Sequence, residues 1–203
     1  MTRLQFLVFA VVACLIAALG VSVSSAQAWP VKPITLVVTY PPGGGADTMA
    51  RLIAPKLGEA LGQPVIIENK PGASGQIGAS AVAKAAPDGY TLMLDASSFA
   101  VNPALFPRLP YDSDKAFRPV GVIALFPNVL LVNQSVPAAS VKELVALAKA
   151  KKNGVSYASS GNGSAQHLAG AMFESAAGVD MLHVPYKGGA PALNDVIGGQ
   201  VPV

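Results

Sequence analysis

Three consecutive glycines, Gly43, Gly44 and Gly45, stand between an apolar β-branched run, Ile34 to Thr39, and a helical pattern opening near Asp47. The chemistry this arrangement offers is anion capture by main-chain groups. Glycines let the backbone turn tightly and expose its N–H groups, and the following helix presents unsatisfied first-turn donors at the positive end of its dipole. A carboxylate or a phosphate suits such a junction. No Lys-Ser or Lys-Thr follows the glycines and the G-x-G-x-x-G spacing is incomplete, which argues against nucleotide binding. The plainer alternative is a tight turn that holds no ligand. Ala158 to Ser164, rich in serine and glycine, repeats the plan of strand, loop and helix further along.

The other residues able to do chemistry are few. Ser164 precedes His167 by three positions, which raises an exported serine hydrolase as the alternative function. The surrounding Gly161-Asn162-Gly163-Ser164-Ala165-Gln166 does not match the G-x-S-x-G elbow, and no acid partner is marked. His183 lies in an apolar strand pattern and reads as a core hydrogen-bonding residue. Two lone histidines without clustered carboxylates make a poor metal site. Asp47 reads first as a helix cap, since its carboxylate would repel an anion. Ser97, Ser98 and Ser164 read equally as caps or as ligand contacts.

The elements that must hold these loops alternate short strands with helices, the pattern of a parallel sheet with crossover helices. Strands are expected at 34–39, 65–67 and 91–94, with helices at about 47–61 and 75–85. Pro55 is expected to kink or break the first helix. Residues 102–117, rich in proline and aromatics, read as a crossover into a second lobe. Two apolar runs, Val120 to Phe126 and Val129 to Val132, read as strands. Ser140-Val141-Lys142-Glu143 has capping-box spacing and starts a helix to about Lys151, closed by Asn153-Gly154. A strand at 155–157, a helix at about 165–176, a strand at 181–184 and a helix to about Ile197 follow. The chain stops at Val203, where a further strand is starting, and is read as incomplete at the C-terminus.

Arg3, the apolar Leu4 to Leu19 and the small-x-small Ala26-Gln27-Ala28 form a secretory leader cleaved after Ala28. Val11-Val12-Ala13-Cys14 raises lipidation at Cys14 as a lesser alternative. Cys14 is the only cysteine in the chain, so the exported part has no thiol chemistry and no disulfide. A formal charge of only +3, with scattered cations, does not suggest nucleic-acid binding. Lys149, Lys151 and Lys152 complement a helix C-terminus.

Several ordered segments carry a family resemblance: Trp29-Pro30-Val31-Lys32-Pro33-Ile34, the Pro41 to Asp47 loop, Glu68-Asn69-Lys70-Pro71-Gly72-Ala73, Ala86-Pro87-Asp88-Gly89-Tyr90-Thr91-Leu92, Tyr157 to Ser164, and His183-Val184-Pro185-Tyr186-Lys187-Gly188-Gly189. In these the chain resembles the periplasmic solute receptors of tripartite tricarboxylate transporters, the Bug receptors. The resemblance implies an α/β, two-lobed periplasmic-binding-protein fold, type II-like, here incomplete at the C-terminus. It divides the chain into a leader at 1–28, a first lobe at 29–101 lacking its return segment, and a second lobe at 102–203. It also implies capture of a small organic carboxylate, a di- or tricarboxylate or an amino acid, and delivery to integral membrane transporter subunits. The implied receptor works without catalysis, cofactor or metal, in the periplasm, as a monomer when complete. The implied contacts are Tyr40, Gly43, Gly45, Ala46, Asp47, Thr48, Ser97 and Ser98 in the first lobe. In the second they are Ser160, Asn162, Gly163 and Ser164. Missing strands are expected to leave sheet edges and apolar surface uncovered, and the 203-residue product unstable or prone to aggregate.

Overall fold

The computed structural model describes residues 28–150, 152 and 154–203. The leader up to residue 27, with Cys14, lies outside the described residues, as do Lys151 and the closing Asn153. Contacts divide the chain into a unit ending at Val31 and a body, Lys32–Val203. The described end of the first unit contains a cis Trp29-Pro30 peptide.

Within the body, β1 (Ile34–Val38), β2 (Val65–Asn69) and β3 (Thr91–Leu94) form a three-stranded parallel sheet in the order β2-β1-β3. The central strand is a near-continuous apolar run because both its faces are covered. Leu36 sits opposite Ile67 on one side and Leu92 on the other. Helices α1 (Gly45–Leu61), α2 (Gln76–Ala83) and α3 (Ser97–Leu105) leave the loops of this half. Its core gathers Leu36, Val38, Ala50 and Leu94, with Ile53, Val65, Ile67 and Leu92 packed around them.

Helix α1 runs through Pro55 without a break. Pro55 removes the donor to the Arg51 carbonyl, and both residues are exposed, on the solvent side of the helix. Helix α3 also departs from expectation, because it occupies part of the segment that reads as a crossover. Its first turn is fixed by the Phe99 N–H donating to Asp95 at 2.9 Å, and Pro103 falls near its end.

The second half contains α4 (Val141–Ala150), β4 (Ser156–Ser159), α5 (Ala165–Ala177), β5 (Leu182–Pro185) and α6 (Gly189–Ile197). Strands β4 and β5 pair in parallel, with Tyr157 opposite His183. The capping box forms with a one-residue offset. Ser140 Oγ accepts from the Glu143 N–H at 3.3 Å, and Glu143 reaches back to the N–H of Ala139 at 2.6 Å. Lys149 lies in the last turn of α4, whereas Lys152 pairs with Asp180 at 3.4 Å. The Ala158 N–H donates to the Val203 carbonyl and the Asn133 N–H to that of Pro202, laying the last residues along the other edge of β4. Val203 thereby joins Leu144, Val155, Tyr157, Val179 and Met181 in a second core.

The strands expected at Val120 to Phe126 and Val129 to Val132 are absent. Residues 118–132 are irregular, and Val120 and Leu125 are 89% and 88% exposed. β-branched composition makes a strand only where a neighbour supplies the ladder. Among the described residues none pairs with this segment.

Candidate anion-binding cleft

Asp47 sits in the first turn of α1 and is 2% exposed. Its carboxylate accepts from the Gly43 N–H at 2.9 Å, from Arg51 Nε at 2.9 Å and Nη2 at 3.0 Å, and from Asn69 Nδ2 at 2.9 Å. The Arg51 guanidinium first, aided by the Gly43 and Asn69 donors, holds its pKa down at about 2 against the opposing effect of burial. Asp47 therefore braces the glycine loop from behind. The N–H groups of Gly45 and Ala46 have no acceptor among the described residues, whereas that of Thr48 closes the helix onto Gly44.

A second network fixes the start of α3. Tyr40 donates to Ser98 Oγ at 2.8 Å, Ser98 donates to Asp95 at 2.9 Å, and the Thr39 hydroxyl donates to the other oxygen of Asp95. Burial pushes the Asp95 carboxyl up despite the donors of Thr39, Phe99, Ser98 and Ala96. Burial, then the Asp95 charge, raises the Tyr40 phenol. Ser98 is 2% exposed and its hydroxyl is already committed in both directions. Ser97 Oγ, by contrast, is buried with no partner among the described residues.

In the second half Ser164 Oγ caps α5 by accepting the His167 backbone N–H at 3.3 Å. The His167 ring is engaged elsewhere, its Nδ1 accepting from the Gly163 N–H at 3.1 Å. The hydroxyl-to-imidazole pairing that a Ser164 hydrolase requires is not made. A different serine, Ser159, meets an imidazole, His183 Nε2, at 2.6 Å. Ser159 is 1% exposed and also accepts from the Gly161 N–H, so it is a buried loop support.

The two halves meet at their loops. Ser74 Oγ donates to the Asn162 carbonyl and Asn102 Nδ2 to the Ser74 carbonyl, both at 2.8 Å. Gly188 has φ +122°, and a Cβ there would come 2.9 Å from Pro41, so only glycine lets these loops approach. Neither Ser74 nor Asn102 stands out in the sequence. The one available signal is Ser74 lying between Gly72 and Gly75, where Ala73 and Ser74 adopt φ +46° and +55°.

A cavity of about 760 Å³ opens between the loops. Its wall includes the starts of four helices: Gly45 and Ala46 of α1, Ser97 of α3, Ala165 and Gln166 of α5, and Gly189 and Ala190 of α6. Met49, Met93, Val122, Leu125 and Phe126 supply apolar surface. Among the described residues no lysine or arginine lines it, and the one carboxylate is that of Asp95. Of the sequence candidates, Tyr40, Gly45, Ala46, Ser97, Ser160 and Ser164 line this cavity. Gly43, Asp47, Thr48, Ser98, Asn162 and Gly163 do not; they stand behind it or at the contact between loops. Gln166, whose Oε1 accepts from Ser160 Oγ at 2.8 Å, and the Gly188 to Pro191 segment are lining residues that sequence reasoning missed.

Parallel α/β halves facing each other across a cleft of helix N-termini define the periplasmic-binding-protein fold. Solved structures agree: R. palustris Rpa4515 with adipate is 41% identical with a TM-score of 0.83, covering 86% of this chain and 58% of that one. MatC from Rhodopseudomonas palustris with bound malate is 36% identical with a TM-score of 0.79, covering 86% and 60%. The model of the tripartite tricarboxylate transporter family receptor matches residues 49–203. Protein BugT of Bordetella pertussis is 41% identical over 204 residues, 99% of this chain and 61% of its own length. The UPF0065 protein in the tcbD-tcbE intergenic region of a Pseudomonas species is 41% identical over 175 residues, 86% of this chain and 52% of its own. The chain belongs to the tripartite tricarboxylate transporter receptor family, and it spans between half and two thirds of the length of these relatives.

Proposed function

We propose that this chain carries the ligand-capturing loops of a periplasmic receptor that closes two lobes, 29–101 and 102–203, on a small organic carboxylate. The receptor then delivers it to the membrane subunits of a tripartite tricarboxylate-type transporter, as a monomer and after export with cleavage behind Ala28. The supporting observation is a cavity surrounded by four helix starts and lined by no cation among the described residues. First-turn N–H groups then meet the carboxylate charge, with the Ser97 and Ser164 hydroxyls as side-chain donors, while Tyr40 and Ser160, whose protons go to Ser98 and Gln166, shape the wall. Hydrogen bonds to a charged group contribute about 1.5–3 kcal/mol each, and micromolar binding needs about 8 kcal/mol net of ordering costs. A handful of such bonds from both lobes suffices, whereas one lobe alone binds weakly.

The relatives with adipate and with malate favour a dicarboxylate. Isothermal calorimetry against a panel of di- and tricarboxylates and acidic amino acids tests the reading. The expected result is one-site binding of at least one panel member. Silence across the panel from folded protein would rule out carboxylate capture.

A further inference from the structure

We propose that Ser74 and Asn102 are positioning residues: they latch the first half onto the loop at Asn162 and lengthen the time the cleft stays shut, without touching the ligand. The role of the latch in binding rests on the carboxylate-capture reading above.

The latch is a relay of two hydrogen bonds. Asn102 Nδ2, in the last turn of α3, donates to the Ser74 carbonyl, and Ser74 Oγ donates to the carbonyl of Asn162, 88 residues further along the chain, both at 2.8 Å. Asn102 is 1% exposed and its Oδ1 has no partner among the described residues, so a buried amide is retained here for its one bond to Ser74. The same end of α3 seats the next residue of the second-half loop, since a Cβ on Gly163 would lie 3.0 Å from Leu105 and 3.9 Å from Val101. On the other side of Ser74, a Cβ on Gly75 would lie 2.9 Å from an Asp95 oxygen and 3.2 Å from Ser98 Oγ, the network that fixes the start of α3. The Gly72–Gly75 turn therefore touches the framework of the cleft wall and the second-half loop at once.

The backbone of this turn is held in a shape that suits only part of its sequence. Gly72, Ala73, Ser74 and Gly75 have φ of +122°, +46°, +55° and +82°. Glycine adopts such angles freely, whereas a residue with a Cβ is strained in them. Strain of this kind persists where the surroundings over-determine it, and it marks functional positions. What serine offers at position 74 and glycine does not is the hydroxyl that reaches Asn162. Neither Ser74, Asn102, Asn162 nor Gly163 lines the cavity, but Ser160 and Ser164, on either side of Asn162, do. A bond that favours the shut arrangement and makes no ligand contact strengthens the binding of every ligand by the same factor.

The test compares the native exported chain with Ser74→Ala and Ser74→Gly, using adipate, malate and any other panel member that binds the native chain as probes in calorimetry and stopped-flow kinetics. Both variants lose the hydroxyl, and only S74G relieves the backbone. Kd should rise about threefold in both, by the same factor for every probe and through a faster koff, the scale of one hydrogen bond that water can reach. The melting temperature of S74G should meanwhile equal or exceed that of the native chain. Without ligand, the Gly163 and Ser164 amides should exchange hydrogen faster in both variants. An unchanged Kd overturns the latch and leaves carboxylate capture standing. So does a factor that differs between probes, which would put Ser74 on the ligand, or a binding loss that follows melting temperature, which would make its role structural. If no panel member binds the native chain, the carboxylate reading falls. Unchanged exchange at Gly163 and Ser164 then removes the latch as well, whereas faster exchange still supports it as a tie between the halves.

Discussion

Asp47 illustrates how a charge beside a candidate cleft can be spent on the cleft's own framework. Its oxygens are consumed by Gly43, Arg51 and Asn69, and the amides of Gly45 and Ala46, two residues of the cleft wall, have no acceptor among the described residues. Asp47→Ala should cost about 2 kcal/mol, the scale of a charge-assisted hydrogen bond lost near the surface, and lower the melting temperature. Because the folded pKa is depressed from 3.8 to about 2, Asp47 contributes fully above pH 3.8, and the contribution fades as pH falls towards 2. Acid unfolding of D47A should therefore be flatter than that of the native chain across that window. Ser164→Ala removes the α5 cap and should cost about 1 kcal/mol, read by denaturant unfolding. The capping alternative for Ser164 was legible from residue type and position, whereas Asp47 lies inside the first turn of α1 behind the cap Gly44 and turns back to the Gly43 N–H. The commitment of Ser98 to Asp95 and Tyr40 was not legible, since those partners lie 3 and 58 residues away and meet only when β1 and β3 pair.

At the scale of elements, Gly170 of α5 faces the Tyr157 ring so closely that a Cβ would lie 2.2 Å from a ring carbon. Gly170→Ala should destabilise by about 3 kcal/mol through overpacking, with loss of Tyr157 tertiary fluorescence or near-UV signal before loss of helix content. The period of the apolar residues revealed β1, β2, β3, α1 and the second-half helices, because each is amphipathic or buried in its own right. Two kinds of information were missing. The ladder partner of a strand is non-local, so Val120 to Val132 had strand composition without a strand. Helix α3 was hidden because its stop signal, Pro103, lies inside it, and its start depends on Asp95 accepting the Phe99 N–H.

Across the molecule, the exposed run from Val120 to Leu131 places Val120, Val122, Leu125, Phe126 and Val129 at the surface. Apolar patches of this kind bind other surfaces or dyes. The 203-residue chain should bind a hydrophobic fluorophore and self-associate, and replacing Val122 and Leu125 by lysine should reduce both, as followed by light scattering. The same loops that leave this surface open also assemble the cleft, where helix starts from both halves converge around a lining that holds no cation among the described residues. That convergence is the central claim, and backbone amide shifts during titration with adipate or malate test it most directly. The amides of Gly45, Ala46, Ser97, Ala165 and Gly189 should shift together along one saturating curve. Shifts confined to one half, or centred on surface lysines while these amides stay still, would contradict it.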